Sequence, residues 1–265
     1  MTLLRKSWGW APGTWGELIQ GEKNGRRLLI SLPADRGSLA HASLFQRRTS
    51  VAPVICSQKR WKSQKAVQLL LEYLGETQVQ IRLQFTSTLP SGVGNASSSA
   101  DVFCALNATL NVLGRRASPA LLCKIASYIE PTNPTIVTGA CLFEPDSGQI
   151  LGRQNLPHFD IIPLSCGKSI DTIQARIFRP RWTKKERLEF NRILEQARTA
   201  LGQGSPKELA RASTRSAFLH AERHSRSDIC LAWKKAQQLG ALGIAASHSG
   251  SSVVALLPKK DFTHA

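Results

Sequence analysis

Acidic residues are scarce in this chain. Asp and Glu number 18 against 35 Lys and Arg, a formal net charge of +17 over 265 residues. Such a surface steers anions toward it: nucleotides, nucleic acid or acidic membranes. Cysteine pairs are missing too. Cys56, Cys104, Cys123, Cys141, Cys166 and Cys230 are scattered, with no C-x-x-C spacing. That argues against metal clusters and disulfide frameworks and leaves reduced thiols, as expected of a cytoplasmic protein. No apolar run approaches the roughly 20 residues of a membrane helix. The first eight residues hold no apolar core of signal-peptide length. Repeats and low-complexity segments are absent. Aromatics are few where the basic charge is densest. Arg176, Arg179, Arg181, Lys184, Lys185, Arg187, Arg192 and Arg198 are interleaved only with Phe178, Trp182 and Phe190. A stacking platform for nucleic acid needs more rings, so nucleic acid is a disfavoured partner and a solvated basic surface the plain alternative.

What is present is ordinary in bulk, 42% hydrophobic and 20% charged, and long enough for two modest domains or one large one. One stretch stands out. Val79, Ile81, Leu83 and Phe85 alternate with polar residues as a strand, and a helical pattern follows from residue 98. Between them lie Pro90, Ser91, Gly92, Val93, Gly94, Asn95, Ala96, Ser97, Ser98 and Ser99. A small-residue loop feeding a helix N-terminus suits a phosphate, because free N–H groups and the helix dipole both favour an anion there. Gly92 and Gly94 permit close backbone approach. The loop lacks the Gly-Lys-Ser/Thr of a Walker A motif and the Gly-x-Gly-x-x-Gly of a dinucleotide fold.

Turn and cap signals give the rest. Residues 10–21 read as a glycine-punctuated turn entering a strand, with residues 28–32 its hairpin partner across Asn24-Gly25. Residues 38–45 read as a third strand. The spacing predicts an amphipathic helix over 62–74, stopped by Gly75, and a nearly all-apolar helix over 98–113. A further helix opens at Ser118-Pro119 and closes at Glu130-Pro131. Strands are expected near 135–143 and 159–164. Helices open at Thr183-x-x-Glu186 and Ser205-Pro206, another spans about 228–239, and two short strands flank residues 247–252. The fold class expected is α+β in two lobes: residues 1–150 as a nucleotide-binding domain, 151–265 as a helical and antiparallel-sheet domain.

Three glycine-serine segments now align. They are Pro12-Gly13-Thr14-Trp15-Gly16-Glu17, the loop at 90–99, and His248-Ser249-Gly250-Ser251. In that order they resemble the GHMP kinases (galactokinase, homoserine kinase, mevalonate kinase and phosphomevalonate kinase). The likeness is nearer still to the threonine kinases of cobalamin side-chain synthesis. It is carried by Gly16 to Gly21, Ala96 to Asp101, Glu130-Pro131-Thr132-Asn133-Pro134-Thr135 and Ser247 to Ser251, and it runs from about residue 11 to 257.

The resemblance implies an ATP-dependent kinase of a small hydroxylated substrate, L-threonine or a similar alcohol, with Mg²⁺ as cofactor. Homoserine as acceptor, a non-catalytic protein of the same fold and a homodimer are left open. The resemblance implies that residues 90–99 hold the triphosphate, and that Ser98 ligates magnesium with Glu130 or Asp101 as the carboxylate. It implies that Thr14, Gly16, Glu17, Ser249, Gly250 and Ser251 meet the acceptor. Ser98, Glu130 and Asn133 are the implied catalytic set. Plainer readings stand beside these: Ser97 and Ser98 as helix caps, Glu130 as a solvated helix end, Asp101 as a dipole partner, His248 as a packed histidine. His220 and His224 share a helix face, but the residues between them do not form a zinc motif. Four departures are visible. Asn133 replaces an Asp, Trp15 a small residue and Asn95 an apolar one, and the chain ends soon after Leu257, so the second domain reads as shortened.

Overall fold

The computed structural model describes residues 2–47, 51–90, 92–166, 181–247 and 250–259. The first part of the chain gives β1 (Leu3–Lys23), β2 (Arg26–Gln46), β3 (Val54–Cys56), α1 (Trp61–Leu74), β4 (Val79–Ser87), α2 (Ser97–Leu113) and α3 (Pro119–Ile129). It continues with β5 (Ala140–Glu144), β6 (Gln149–Gln154) and β7 (Phe159–Cys166), then α4 (Lys184–Gly202), α5 (Pro206–His224), α6 (Ser227–Gln238), β8 (Gly243–Ala246) and β9 (Ser252–Pro258). The architecture is α+β, built on one curled sheet of order β3-β4-β2-β1-β8-β9-β7, with β5 and β6 branching from β2.

The β1–β2 hairpin is the spine. Its tight turn uses Asn24 at φ 53° and Gly25 at φ 75°, the doubly positive geometry that Asn-Gly favours. Beyond the turn the two strands pair over their whole length, with register shifts between Pro12 and Ile19. There the ribbon bends. Its outer half pairs with β4, while its inner half pairs with β5 and, through Glu17 and Ala246, with β8.

This corrects the expected break between residues 32 and 38. Pro33 and Gly37 look like a turn, yet Pro33 lies opposite Thr14 within the irregular stretch, where a missing N–H is tolerated. β1 also starts earlier than expected, because its exposed edge residues carry no alternation. Asn107 and Asn111 of α2 donate to the Trp10 and Trp8 carbonyls at 3.0 and 2.8 Å and blunt that edge. Two further strands escaped the pattern: three-residue β3 and largely exposed β6. The strand expected near 135–143 starts only at Ala140, after a turn closed by Thr135 N–H to Asn133 O and Val137 N–H to Pro134 O.

Local caps place the helices. Gly75 ends α1 in left-handed conformation, Ser118 caps α3 through Leu121 N–H, and Thr183 with Glu186 forms a capping box on α4. One core packs α1, α2 and α3 through Val67, Leu70, Phe103, Leu106 and Leu122 against Ile81 and Leu83. A second joins Leu18, Ile19 and Ile30 of the ribbon to Phe190, Ile193 and Leu209 of α4 and α5. A third lies between α5, α6 and the β8–β9 pair. The ribbon thus contributes to cores on both sides of its bend. Among the described residues, no helix is long and apolar enough to cross a membrane.

Candidate active site

The bend in the ribbon, the loop before α2 and the loop before β9 meet at one place. Thr14 N–H donates to Asn95 O at 3.0 Å. Ser251 and Ser252 N–H both donate to Val93 O, at 3.2 and 3.1 Å. Gly94 and Gly250 pack backbone to backbone. A Cβ on Gly94 would lie 1.8 Å from Ser247 Oγ, and one on Gly250 would lie 2.3 Å from Val93 O, so neither position admits a side chain. Gly92 and Gly94 have φ of 77° and 90°, as a loop folded this tightly requires. Gly16 completes the junction against Ala246 and Ser247.

α2 starts at this junction without a side-chain cap. Its N-cap, Ala96, is left-handed (φ 52°, ψ 34°), a strained geometry for a residue with a Cβ. The capping alternative for Ser97 and Ser98 therefore does not hold. Several polar atoms at the junction are buried without a hydrogen-bond partner: Thr14 Oγ1, Asn95 Oδ1, Ser247 Oγ and Ser251 Oγ. Unsatisfied groups of this kind are costly unless something polar binds to them.

Beside α2 lies a cavity of about 230 Å³, bordered by residues 59–63 and by Ser97, Ser98 and Asp101. The Ser98 hydroxyl donates to Glu130 Oε1, at the end of α3. The Lys62 ammonium, from the first turn of α1, reaches Glu130 Oε2 at 2.6 Å and Ser98 Oγ at 3.3 Å. Asp101 stands apart from that group, in an ion pair with Arg60. Burial raises its carboxyl above the ordinary value, against the opposing pull of the Ser38 hydroxyl and the Arg60 guanidinium.

Asn133 meets Ser99, the residue of α2 next to Ser98. Its backbone N–H donates to Ser99 Oγ at 3.2 Å, and its Oδ1 accepts from Ser31 Oγ at 3.2 Å. Ser99 also accepts from Thr132 Oγ1 at 2.8 Å, so its hydroxyl is committed to the segment after α3. Glu17 is buried in the ribbon bend. Burial pushes the Cys123 thiol up to about 12 and Cys141 to about 11, away from the reactive thiolate.

The sequence profile of the GHMP kinases N terminal domain matches residues 62–140, the segment from α1 through the loop and α2 to β5. This chain carries a GHMP kinase N-terminal domain. An L-threonine kinase of Citrobacter freundii is 26% identical over 94% of this chain and 85% of its own length. One from Salmonella typhimurium is 25% identical over 94% and 82%. A solved homoserine kinase from Cytophaga hutchinsonii superposes with a TM-score of 0.71 at 17% identity, covering 98% of this chain and 88% of that one. The fold is that of the GHMP kinases.

Within this GHMP-kinase fold, the expected residues fall in three groups. Gly92, Val93, Gly94, Asn95 and Ala96 form the junction loop with Thr14, Gly16, Gly250 and Ser251. Ser97 and Ser98 open onto the cavity with Glu130. Asn133 and Ser99 form a separate hydrogen-bonded pair. Ser91, His248 and Ser249 lie outside the described residues, and Pro90 is exposed. Sequence reasoning passed over Lys62, Arg60 and Arg226. The first two had a signal: α1 has no acidic residue in its first turn, yet begins with cations that oppose its dipole. Arg226 precedes α6. It binds Asp228 in a two-pronged pair at 2.6–2.7 Å and donates to the Ser247 and Gly250 carbonyls at 3.2 and 2.6 Å, which clamps the C-terminal loop. Its partners are remote in the chain, so only the fold reveals them.

Proposed function

We propose that this protein is an ATP-dependent kinase that phosphorylates the hydroxyl of a small molecule, with L-threonine as the leading acceptor. The observation that carries this reading is the Ser98–Glu130 pair at the head of α2, beside a glycine loop locked onto the C-terminal loop. In this reading the start of α2 and residues 92–96 hold the triphosphate through backbone N–H groups. Lys59 and Lys62 add positive charge, and the exposed Trp61 ring offers a face for the base.

The donor set also suits a magnesium ion. A hydroxyl and a carboxylate are hard oxygen ligands that already attract a cation, the Lys62 ammonium. The described residues hold no cluster of three acidic, His or Cys side chains, and magnesium needs none, because phosphates and water complete its shell. Ser98 and Glu130 would hold the ion, which when bound would neutralise charge on the phosphates.

The acceptor is assigned to the junction of Thr14, Glu17, Gly250 and Ser251, where the unpartnered hydroxyls of Thr14 and Ser251 can meet a polar substrate. Asn133 cannot take a proton as a carboxylate would. Its amide is oriented by Ser31, so its role is to position the acceptor. The acceptor oxygen bonds to the γ-phosphorus as the bond to ADP breaks, and its proton passes to an oxygen of the transferred phosphoryl group. Positioning and charge neutralisation account for most catalysis in this chemistry.

The threonine assignment draws on the two relatives named L-threonine kinase. An ADP-release screen of the purified protein with L-threonine, L-serine and L-homoserine tests it. ADP release highest with L-threonine is the expected result. Preference for another alcohol would move the substrate, and ADP release with none would reject the enzyme reading.

A further inference from the structure

We propose that Lys62 is a resident cation of this site, holding the Ser98–Glu130 pair in ligand geometry until a divalent ion replaces it, and then moving to the nucleotide phosphates. The inference rests on the kinase reading above and adds a residue and an exchange to it.

The position of Lys62 is unfavourable on local grounds. It sits in the first turn of α1, at the positive end of the helix dipole, with no acidic residue in that turn. Its compensation comes from elsewhere. Its ammonium lies 2.6 Å from Glu130 Oε2 and 3.3 Å from Ser98 Oγ, while Ser98 donates to the other carboxylate oxygen. One ammonium therefore takes two oxygens that a magnesium ion would take. A magnesium ion binds such oxygens at about 2.0–2.1 Å. The ammonium competes with the ion for these oxygens, and repulsion between the two cations favours one leaving as the other arrives.

Lys62 is able to leave. Lysine carries a compact charge on a flexible four-carbon stem, unlike the rigid fork of arginine. Its side chain is 31% exposed and borders the 230 Å³ cavity. The same cavity is bordered by Ser97 and Ser98 at the head of α2, the place assigned to the phosphates. An ammonium displaced from Glu130 finds its new anion within the same cavity.

Calorimetric titration of the intact protein separates this from a lysine that merely ties α1 to α3. Mg²⁺ is titrated first without nucleotide, then ADP at saturating Mg²⁺, into wild type, Lys62→Met and Lys62→Gln. Removing the competing charge is expected to tighten Mg²⁺ binding without nucleotide by about tenfold in both variants. Losing a charge-assisted contact is expected to weaken ADP binding by about tenfold or more. Lys62→Gln, which keeps a hydrogen bond to Glu130, guards against a folding defect in the apolar variant. Folded variants that match wild type in both constants would overturn the exchange. Wild type that binds no ADP at any Mg²⁺ concentration would instead overturn the kinase reading itself.

Discussion

Two carboxylates of this protein face the same basic segment, and they are held in opposite ways. Glu130 ends a helix and binds a lysine and a serine hydroxyl, both with polar atoms on the cavity. Asp101 is 4% exposed and held by an arginine. Lysine can release its partner; arginine, with a fixed fork and a permanent charge, is suited to stay. Under the proposal above, the first arrangement suits a group that changes partners during a reaction. The second belongs to a strut between α2 and the segment before α1. The resemblance left both acids as candidates for the metal; Glu130 is the one proposed above, because its partner is the more readily displaced.

The largest expected effect tests that separation directly. Glu130→Gln or Ser98→Ala is expected to lower kcat by about 10²–10³, the scale of losing one preorganised charge-stabilising group. Asp101→Asn should leave kcat essentially unchanged. Steady-state kinetics on the three variants decides it, and equal losses for Glu130→Gln and Asp101→Asn would erase the contrast.

A new carboxylate sharpens it next. Asn133→Asp places an acid next to Ser31, where under the proposal above a substrate proton could be accepted. If proton removal limits the rate, turnover should rise by up to about tenfold, with a carboxylate ionisation entering the pH–rate profile. An unchanged profile would mean that positioning alone sets the rate.

A third acid, Asp228, is also held by an arginine, and here the pair acts at a distance. Arg226→Leu is expected to raise KM by about fivefold by releasing the Ser247 and Gly250 carbonyls, with a smaller change in kcat. The hydrogen bond from Arg226 holds the Asp228 carboxyl below its ordinary value of 3.8. Its contribution to stability is therefore complete above that value and is lost as pH falls through the lowered one.

Asp101 gives the opposite and smallest signal. Its carboxyl is raised by burial, so the folded state holds its proton more tightly than the unfolded chain does. Stability from this group is greatest below the ordinary Asp value of 3.8 and falls as pH rises through the raised one. Asp101→Asn removes that slope. Denaturant midpoints at pH 4 and pH 7 should show the variant gaining on wild type as pH rises.

Which features were legible in the sequence follows from how far their causes reach. The caps at Ser118, Thr183 and Gly75 and the Asn24-Gly25 turn are decided within a few residues, and they were readable. The three glycine segments were readable as a set, though their mutual packing was not. The early part of β1, the short β3 and the exposed β6 depend on neighbouring strands and leave little pattern of their own. Pro33 misled because its tolerance comes from the irregular pairing opposite it. Lys62, Arg60 and Arg226 were missed for a similar reason: each is explained by a partner that the fold brings to it.

The bent β1–β2 ribbon also sets an order of events. Gln20 N–H is satisfied by Ser216 Oγ, 196 residues further along, and Glu17 pairs with Ala246. Contacts of such sequence separation form late, since a long loop must close before they are rewarded. During synthesis the first core, of α1, α2 and α3, can collapse while the inner half of the ribbon still lacks β8 and the helices α4 and α5 that pack on it. The glycine loop before α2 then waits for Gly250. A ribosome that has not yet delivered β8 and β9 carries a first core whose glycine loop lacks its backing, so the junction is completed only with the last strands.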